Sequence, residues 1–278
     1  MDIKLLALDI DGTLLNSQYH VSDENRRAIH QARSRGVDVV LVTGRRFAFA
    51  LPVVRELGLQ TPLICHNGAL TKQTETWAVI DYYPLAAETA RHVVSIGKSL
   101  GADMICSYDP EGYGRLVFES LSPESLRLRT YMPQNPIGLE QVDDLCSYIQ
   151  DDPIQVMSTG TCERIDRLEA ALLAELNGRA TLLKTAYPHR DLSILDILAP
   201  QCSKGRALAR LAERAGLRRE QVMAVGDNHN DLHMLEFAGI GVVMGNAEEP
   251  IKRAPFYLTA SNDEHGVAQA IARFILRG

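Results

Sequence analysis

Short apolar runs alternate with longer amphipathic segments over the first part of the chain. Ile3–Leu8 is apolar on both faces apart from Lys4, which predicts a strand that is buried on both sides. The β-branched run Val37–Val42 and the shorter run Leu63–Cys65 predict two further strands. Helices are predicted between them, over residues 22–35 and 47–57, and a glycine follows each. This order of strands and helices predicts a parallel, right-handed α/β sheet.

The pattern changes after Pro84 and returns after Pro200. Between these points strands mix with helices without tight alternation, which predicts an α+β unit inserted into the first domain. Its predicted strands cover residues 104–108, 116–118, 154–158, 181–184 and 193–198, and its predicted helices cover 85–100 and 163–176. The returning pattern predicts strands over residues 222–225, 240–244 and 257–258, with helices between and after them. We therefore expect a Rossmann-like parallel-sheet core over residues 1–83 and 199–278, with an inserted α/β (α+β) domain over residues 84–198.

The composition adds limits on partners and compartment. The chain has 278 residues, of which 46% are hydrophobic and 23% are charged, as in an ordinary globular protein. The formal net charge of −6, without a Lys/Arg-rich block, argues against nucleic acid as a partner. The chain has no apolar run long enough for a membrane span and no signal-peptide pattern at its start. Five cysteines without a Cys-x-x-Cys pair suit a reducing compartment, so we expect a cytoplasmic protein whose oligomeric state is open.

Two aspartates end the first apolar run. Asp9 and Asp11 precede Gly12 and Thr13, and positions two apart lie on the same side of an extended strand. Carboxylates this close repel each other and need a cation or a proton between them. Mg²⁺ takes one or two carboxylates together with phosphate oxygens and water. A solvated Asp-Gly turn would explain Asp11, but it would not explain a charge at the end of a buried run.

Other polar residues follow other strands of the predicted sheet or open a helix beside it. They are Thr43 and Gly44 after the second strand, Lys204 at a helix start, and Asp227, Asn230 and Asp231 after the strand over 222–225. The carboxyl ends of parallel strands share one edge of a sheet, so these loops can converge. Taken one at a time, a threonine at a strand exit or a lysine in a first helical turn is an ordinary solvated residue. Together they supply a nucleophile, a proton donor and groups that hold phosphoryl oxygens, which is the inventory of phosphoryl transfer.

The nine residues Leu5–Thr13 contain the pattern Asp-x-Asp-Gly-Thr after an apolar strand, which resembles the first motif of the haloacid dehalogenase-like hydrolases, mostly phosphatases. Four further segments, His66–Ala69, Val225–Asp231, Gly245–Ala247 and Ser261–Val267, resemble the Cof-type sugar-phosphate phosphatases within that superfamily. In that subfamily a large α/β cap is inserted between the second and third motifs, as expected here for residues 84–198.

The resemblance also implies a role for each matching residue. It implies Asp9 as nucleophile and Asp11 as acid/base. The implied phosphate ligands are Thr43 with Gly44, Lys204 and Asn230. The implied Mg²⁺ ligands are the Asp9 side chain, the Asp11 backbone carbonyl and Asp227, with Asp231 supporting the metal site.

The expected activity is Mg²⁺-dependent hydrolysis of phosphomonoesters of small metabolites through an aspartyl-phosphate. Arg45, Asn67 and Arg190 are candidate substrate contacts, although no spacing rule marks them. A phosphotransferase or phosphomutase with the same aspartyl-phosphate is an alternative, because the sequence does not decide which group accepts the phosphoryl. A receiver phosphorylated on Asp without turnover is another, although receivers are shorter and lack a cap. A zinc site at His229 and His233 lacks a third ligand in the pattern.

Overall fold

The first apolar run forms strand β1 in a computed structural model that describes residues 2–109, 114–122, 138–187, 191–252 and 255–277. The strands are β1 (Leu5–Leu8), β2 (Asp38–Leu41), β3 (Leu63–Cys65), β4 (Leu70–Lys72), β5 (Val79–Tyr82), β6 (Met104–Tyr108), β7 (Arg115–Phe118), β8 (Gly138–Gln141), β9 (Gln155–Gly160), β10 (Thr181–Tyr187), β11 (Leu192–Leu198), β12 (Val222–Gly226), β13 (Ile240–Val243) and β14 (Tyr257–Leu258). The helices are α1 (Asp23–Ser34), α2 (Phe47–Glu56), α3 (Ala87–Ser99), α4 (Leu145–Tyr148), α5 (Cys162–Leu176), α6 (Lys204–Arg214), α7 (Leu232–Phe237), α8 (Glu249–Lys252) and α9 (Gly266–Ile271). A π-helical turn, Ala272–Leu276, continues α9.

These elements form two compact units. The first unit is made of Met1–Arg45, Ala50–Ile80 and Ser203–Gly278. The second is made of Arg46–Phe49 and Asp81–Cys202. Apart from Arg46–Phe49, the chain passes from the first unit to the second within β5 and returns just before α6, so the first unit joins the two ends of the sequence.

A parallel sheet with the order β14-β13-β12-β1-β2 organises the first unit. Leu5 of β1 is in register with Val222 of β12 on one side and with Asp38 of β2 on the other. All four residues of β1 are buried, which explains why the run is apolar on both faces. The parallel core expected from the sequence is therefore confirmed, and its carboxyl edge lies directly after Leu8, Leu41 and Gly226.

The helix starts that flank this sheet follow from their capping residues. The Ser22 hydroxyl accepts a hydrogen bond from the Asn25 N–H (3.2 Å) at the start of α1. The Ser203 hydroxyl accepts one from the Arg206 N–H (3.2 Å) at the start of α6. Such caps satisfy N–H groups that have no partner inside the helix, so they fix the residue at which each helix begins. The cap at Ser203 makes Lys204 the first residue of α6.

The third predicted strand joins the core less fully than expected. β3 pairs in antiparallel fashion with β4 in a separate sheet of order β3-β4-β5. Its link to the parallel sheet is one parallel bridge between Val42 and Ile64, with a hydrogen bond from the Thr43 N–H to the Ile64 carbonyl (2.9 Å). The hairpin with β4 takes the remaining hydrogen bonds of β3, a pairing that hydrophobic pattern alone does not predict.

The second unit contains a sheet of order β10-β11-β9-β6-β7-β8. Its neighbouring strands are antiparallel except for β7 and β8, which are parallel. Val94 of α3, Val156 of β9 and Leu168 of α5 belong to one buried core. This architecture confirms the α+β pattern, with β10 and β11 longer than predicted and with β8 and α4 added. The sequence also predicts a short helix from Ser122 and a loop over residues 133–138, and both lie almost entirely outside the described residues.

Among the described residues no helix is both long enough and apolar enough to cross a membrane.

Candidate active site

A buried lysine links two carboxylates at the carboxyl edge of the parallel sheet. The Lys204 ammonium donates hydrogen bonds to Asp9 Oδ1 and to Asp231 Oδ1, both at 2.7 Å. Lys204 is 1% exposed, so it is not the solvated first-turn residue that its position alone would suggest. Burial lowers the pKa of Lys204, but the Asp231 and Asp9 carboxylates outweigh burial and raise it above its ordinary value.

Asp9 continues the course of β1 into this cluster. Its N–H donates to the Val225 carbonyl (3.1 Å), so the sheet pairing extends one residue past β1. The side chain is almost completely buried. Burial raises the pKa of Asp9 well above its ordinary value, and the neighbouring Asp231 and Asp227 carboxylates add to this against the effect of Lys204. Asp9 is thus a buried carboxyl at a strand tip, where its charge requires compensation.

Asp231 shapes the loop after β12. Its Oδ2 accepts hydrogen bonds from the N–H groups of Asp227 and Asn228, each at 3.0 Å. Its Oδ1 accepts the hydrogen bond from Lys204, and the residue is fully buried. Both oxygens are therefore engaged, and Asp231 holds the loop that presents Asp227.

Asp227 lies against the loop that follows β1. The Thr13 hydroxyl donates to Asp227 Oδ1 (2.6 Å). Gly12 has a φ of 78°, and a Cβ placed on it would lie 2.4 Å from Asp227 Oδ2. Burial and the nearby Asp231 raise the pKa of Asp227 to about 7, while the Thr13 hydrogen bond works in the opposite direction. The missing side chain of Gly12 therefore gives Asp227 its place beside the first loop.

The carboxylates of Asp9, Asp227 and Asp231, of which Asp9 and Asp231 are buried and Asp227 is half-buried, meet the chemical requirements of a magnesium site. Ligand oxygens of Asp9, Asp227 and Asp231 lie within 4.8 Å of one another, and no other such group of three or more acidic, His or Cys side chains occurs in the described residues. Among those residues, no hydrogen-bond donor reaches the Oδ2 of Asp9 or of Asp227. Hard oxygen ligands with excess negative charge suit Mg²⁺, so the residues present fit this ion. Because both Asp231 oxygens are engaged, Asp9 and Asp227 are the side chains with oxygens left for it.

Asp11 points to a different partner. Arg45 donates from Nε to Asp11 Oδ2 and from Nη2 to Asp11 Oδ1, both at 2.6 Å. The side chains are 25% exposed for Arg45 and 42% for Asp11. The Asp11 side chain is therefore not part of the carboxylate group formed by Asp9, Asp227 and Asp231. Arg45, which the sequence suggests as a substrate contact, is paired with Asp11.

A second polar cluster forms at the tips of β2 and β3. The Asn230 amide donates to Asn67 Oδ1 (2.9 Å), and the Asn67 N–H donates to the Thr43 carbonyl (3.0 Å). A Cβ on Gly44 would lie 3.1 Å from Asn67 Oδ1, so Gly44 leaves room for that amide. Asn67 has a φ of 53°, which an asparagine tolerates better than most residues. The structure thus gathers Thr43, Gly44, Asn67 and Asn230, while Arg190 lies outside the described residues.

Comparison with known proteins identifies the family. The family model of the haloacid dehalogenase-like hydrolases matches residues 6–271. The chain belongs to the haloacid dehalogenase-like hydrolases. It is 33% identical to the putative phosphatase YxeH of Bacillus subtilis, over 98% of both chains. It is 31% identical to the Bacillus subtilis 5-amino-6-(5-phospho-D-ribitylamino)uracil phosphatase YcsE, over 99% of this chain and 97% of the relative.

A solved structure supports the same assignment. The crystal structure of a haloacid dehalogenase-like hydrolase from Bacteroides thetaiotaomicron is 30% identical and has a TM-score of 0.82. The match covers 98% of this chain and 100% of that one. These findings confirm the resemblance drawn from the sequence motifs, and they make the protein an enzyme of the phosphatase type.

In this hydrolase, two asparagines that the sequence motifs do not mark as functional hold the loop after β1. The Asn246 amide donates to the Gly12 carbonyl (2.8 Å), and its Oδ1 accepts from the Asn262 N–H (2.9 Å). The Asn262 amide donates to the Leu15 carbonyl (2.9 Å). Both asparagines lie in segments that resemble the Cof-type subfamily, which is the signal that could have marked them. Thr13 was visible in the first motif, but its bond to Asp227 was not.

Proposed function

We propose that this hydrolase is a Mg²⁺-dependent phosphatase that cleaves phosphomonoesters of small metabolites through an aspartyl-phosphate on Asp9. The observation that carries the proposal is the buried Asp9 carboxyl, hydrogen-bonded to Lys204 and grouped with Asp227 and Asp231 at the edge of the sheet. A carboxylate in that position suits covalent catalysis because fixed charges around it need no rearrangement during the reaction.

In the first proposed step an Asp9 oxygen forms a bond to phosphorus while the bond from phosphorus to the ester oxygen breaks. The electron pair leaves on that oxygen, and Asp11 gives it a proton, so a neutral alcohol departs. In the second step Asp11 takes a proton from water as the water oxygen attacks phosphorus. The bond between phosphorus and Asp9 then breaks, which restores the carboxylate and releases inorganic phosphate.

Phosphate binding is proposed for Thr43, Gly44, Lys204 and Asn230. The Lys204 ammonium already donates to Asp9, so a phosphoryl group transferred to Asp9 would meet a positive charge. Thr43 and Asn230 are linked through Asn67, which supports a common site for the phosphoryl oxygens. Phosphoryl transfer depends mainly on such positioning and charge compensation.

Mg²⁺ would be held by the Asp9 and Asp227 side chains and by the Asp11 backbone carbonyl. Asp231 would keep the Asp227 loop in place through its bonds to the Asp227 and Asn228 N–H groups. When bound, the ion supplies positive charge that offsets the carboxylates and the phosphate. The raised pKa of Asp227 is in keeping with this role, because that carboxyl lacks a full counter-charge of its own.

Substrate selection is proposed for residues 84–198, as a cap domain, and for Arg190 and Asn67. YcsE, a relative that is named for its substrate, acts on a small phosphorylated metabolite, and a substrate of that class is proposed here.

All five cysteines are free thiols, which supports a place in the reducing cytoplasm.

The experiment is phosphate release from p-nitrophenyl phosphate, with Mg²⁺ and with EDTA, for wild type, Asp9→Asn and Asp38→Asn. Asp38 is an exposed carboxylate at the start of β2 and serves as the matched control. We expect activity that needs Mg²⁺, that survives Asp38→Asn, and that falls by about 10⁴-fold or more in Asp9→Asn.

Activity retained in Asp9→Asn would exclude Asp9 as the nucleophile. Activity of the wild type in EDTA would exclude the metal requirement. A wild type that releases no phosphate but holds a stable aspartyl-phosphate after treatment with acetyl phosphate would favour a receiver. Phosphoryl transfer to an added alcohol in preference to water would favour a phosphotransferase.

A further inference from the structure

The Arg45–Asp11 pair has the geometry of a two-pronged clamp. One planar guanidinium contacts both oxygens of one carboxylate, and both distances are 2.6 Å. Paired hydrogen bonds of this kind fix the plane of the carboxylate as well as its position. A single point charge could attract Asp11, but it would not set that plane.

The backbone of Arg45 is held on both sides. Its N–H donates to the Thr43 hydroxyl (3.0 Å), and its carbonyl accepts from the His66 N–H (3.0 Å). Arg45 therefore extends from a fixed turn between the tips of β2 and β3. Three quarters of its side chain is buried, so the guanidinium has limited freedom to leave Asp11.

We propose that Arg45 is a positioning residue that orients Asp11 for proton transfer, and that it does not bind the substrate. The inference rests on the function proposed above. The clamp takes one hydrogen-bonding position on each Asp11 oxygen and leaves a further position on each. Arg45 exchanges no proton; it directs an open position of Asp11 toward the ester oxygen in the first step and toward water in the second.

This role predicts a dependence on the leaving group. A p-nitrophenolate leaves readily without a proton, whereas an alkoxide leaves slowly unless a general acid protonates it. The ratio kcat/KM covers the steps up to departure of the alcohol, so it reports the first proton transfer alone. If Arg45 instead bound the phosphate, its substitution would lower kcat/KM for all esters by a similar factor, because all of them carry the same phosphoryl group.

The test compares wild type, Arg45→Gln and Arg45→Lys on p-nitrophenyl phosphate and on glycerol 2-phosphate with Mg²⁺. We expect kcat/KM for the alkyl ester to fall by about 10²-fold, and for the aryl ester by less than about 5-fold. Lys should fail to restore the alkyl activity, because an ammonium does not reproduce the clamp. With Arg45→Gln on the aryl ester we expect a burst of p-nitrophenol. The first step stays fast because this leaving group needs no proton, whereas the second step, which needs a positioned Asp11, becomes slow.

A double variant separates positioning from a general structural effect. In the Asp11→Asn background, Arg45→Gln should lower activity on the alkyl ester by less than about 3-fold further, because the group that it positions is already absent. Thermal unfolding followed by circular dichroism checks that each variant folds, and Arg45→Lys replaces Arg45→Gln if the latter does not.

Equal losses on both esters with a raised KM would overturn the inference and make Arg45 a substrate ligand. Full rescue by Lys would overturn it as well, since charge alone would then suffice. These outcomes are distinct from failure of the proposed function, which would show as an active Asp9→Asn or an inactive wild type.

Discussion

Gly12 shows how a single residue controls the carboxylate cluster. Its φ of 78° suits glycine, and its missing Cβ leaves the space that Asp227 Oδ2 occupies. Gly36, after α1, has the same φ of 78°, but a Cβ there would have no atom within 4 Å. The two positions therefore share the backbone requirement and differ only in what a side chain would displace.

Gly12→Ala is expected to destroy activity, while Gly36→Ala is not. Both substitutions should cost about 1 kcal/mol of folding free energy, because alanine disfavours a positive φ. Only Gly12→Ala should displace Asp227 and lower kcat/KM by about 10²-fold or more. Urea unfolding and p-nitrophenyl phosphate turnover measure the two effects. Equal activity of the two variants would contradict the steric role of Gly12.

At the scale of elements, the loop after β1 is held from the far end of the sequence. Asn246 and Asn262 bind the Gly12 and Leu15 carbonyls, and Asp263 Oδ1 accepts from the Ser17 N–H (2.8 Å). The loop forms isolated backbone bridges, Asp11 with Leu15 and Leu15 with Val21, and side chains satisfy other polar groups of its backbone. The segments around β13 and β14 therefore stabilise the loop that carries Asp11.

Asn246→Ala tests this support, with Gln269→Ala as the control. Asn246→Ala removes hydrogen bonds to Gly12 and from Asn262 and should lower stability by about 1 kcal/mol and kcat/KM about tenfold. The exposed Gln269 side chain donates a hydrogen bond to the Glu264 carbonyl (3.0 Å), away from the loop after β1, and its substitution should leave turnover unchanged. Turnover and urea unfolding of both variants provide the measurement. A normal kcat/KM in Asn246→Ala would show that the loop holds its shape without the asparagine.

At the scale of the whole molecule, the charge of the site opposes folding. Burial and mutual repulsion raise the pKa values of Asp9 and Asp227, the latter to about 7. An unfolded chain releases these protons near pH 4, so the native state binds more protons above that pH. The stabilising contribution is therefore complete at low pH and is lost as the pH rises through about 7. A bound divalent cation would counter this loss.

The metal-free protein should accordingly lose stability from pH 5 to pH 8, by at most about 1.4 kcal/mol per pH unit for Asp227, and the raised pKa of Asp9 acts in the same direction. The increase in melting temperature on adding Mg²⁺ should be larger at pH 8 than at pH 5, because the ligands are then ionised. Thermal unfolding with EDTA and with MgCl₂, at pH 5 and at pH 8, measures the loss of stability and the shift caused by Mg²⁺. Asp227→Asn should reduce both effects. An Mg²⁺ shift that is independent of pH would contradict the assignment.

The hydrophobic pattern is sufficient to predict the strands of the parallel core and the residues at their tips. The reason is local, because an apolar run that is buried on both faces followed by a polar loop defines a strand and its end within a few residues. This short-range pattern places Asp9 after β1, Asp227 after β12 and Lys204 at the start of α6. The motifs between them were specific enough to indicate the family.

Tertiary structure alone decided which of these groups meet. Lys204 is buried between Asp9 and Asp231, and Arg45 clamps Asp11 instead of standing free for a substrate. β3 also pairs mainly with β4 and only briefly with the parallel sheet. Side-chain partners and strand neighbours depend on how segments far apart in sequence come together. Hydrophobic periodicity shows that a residue lies at a strand tip, but it does not show which charge will lie across from it.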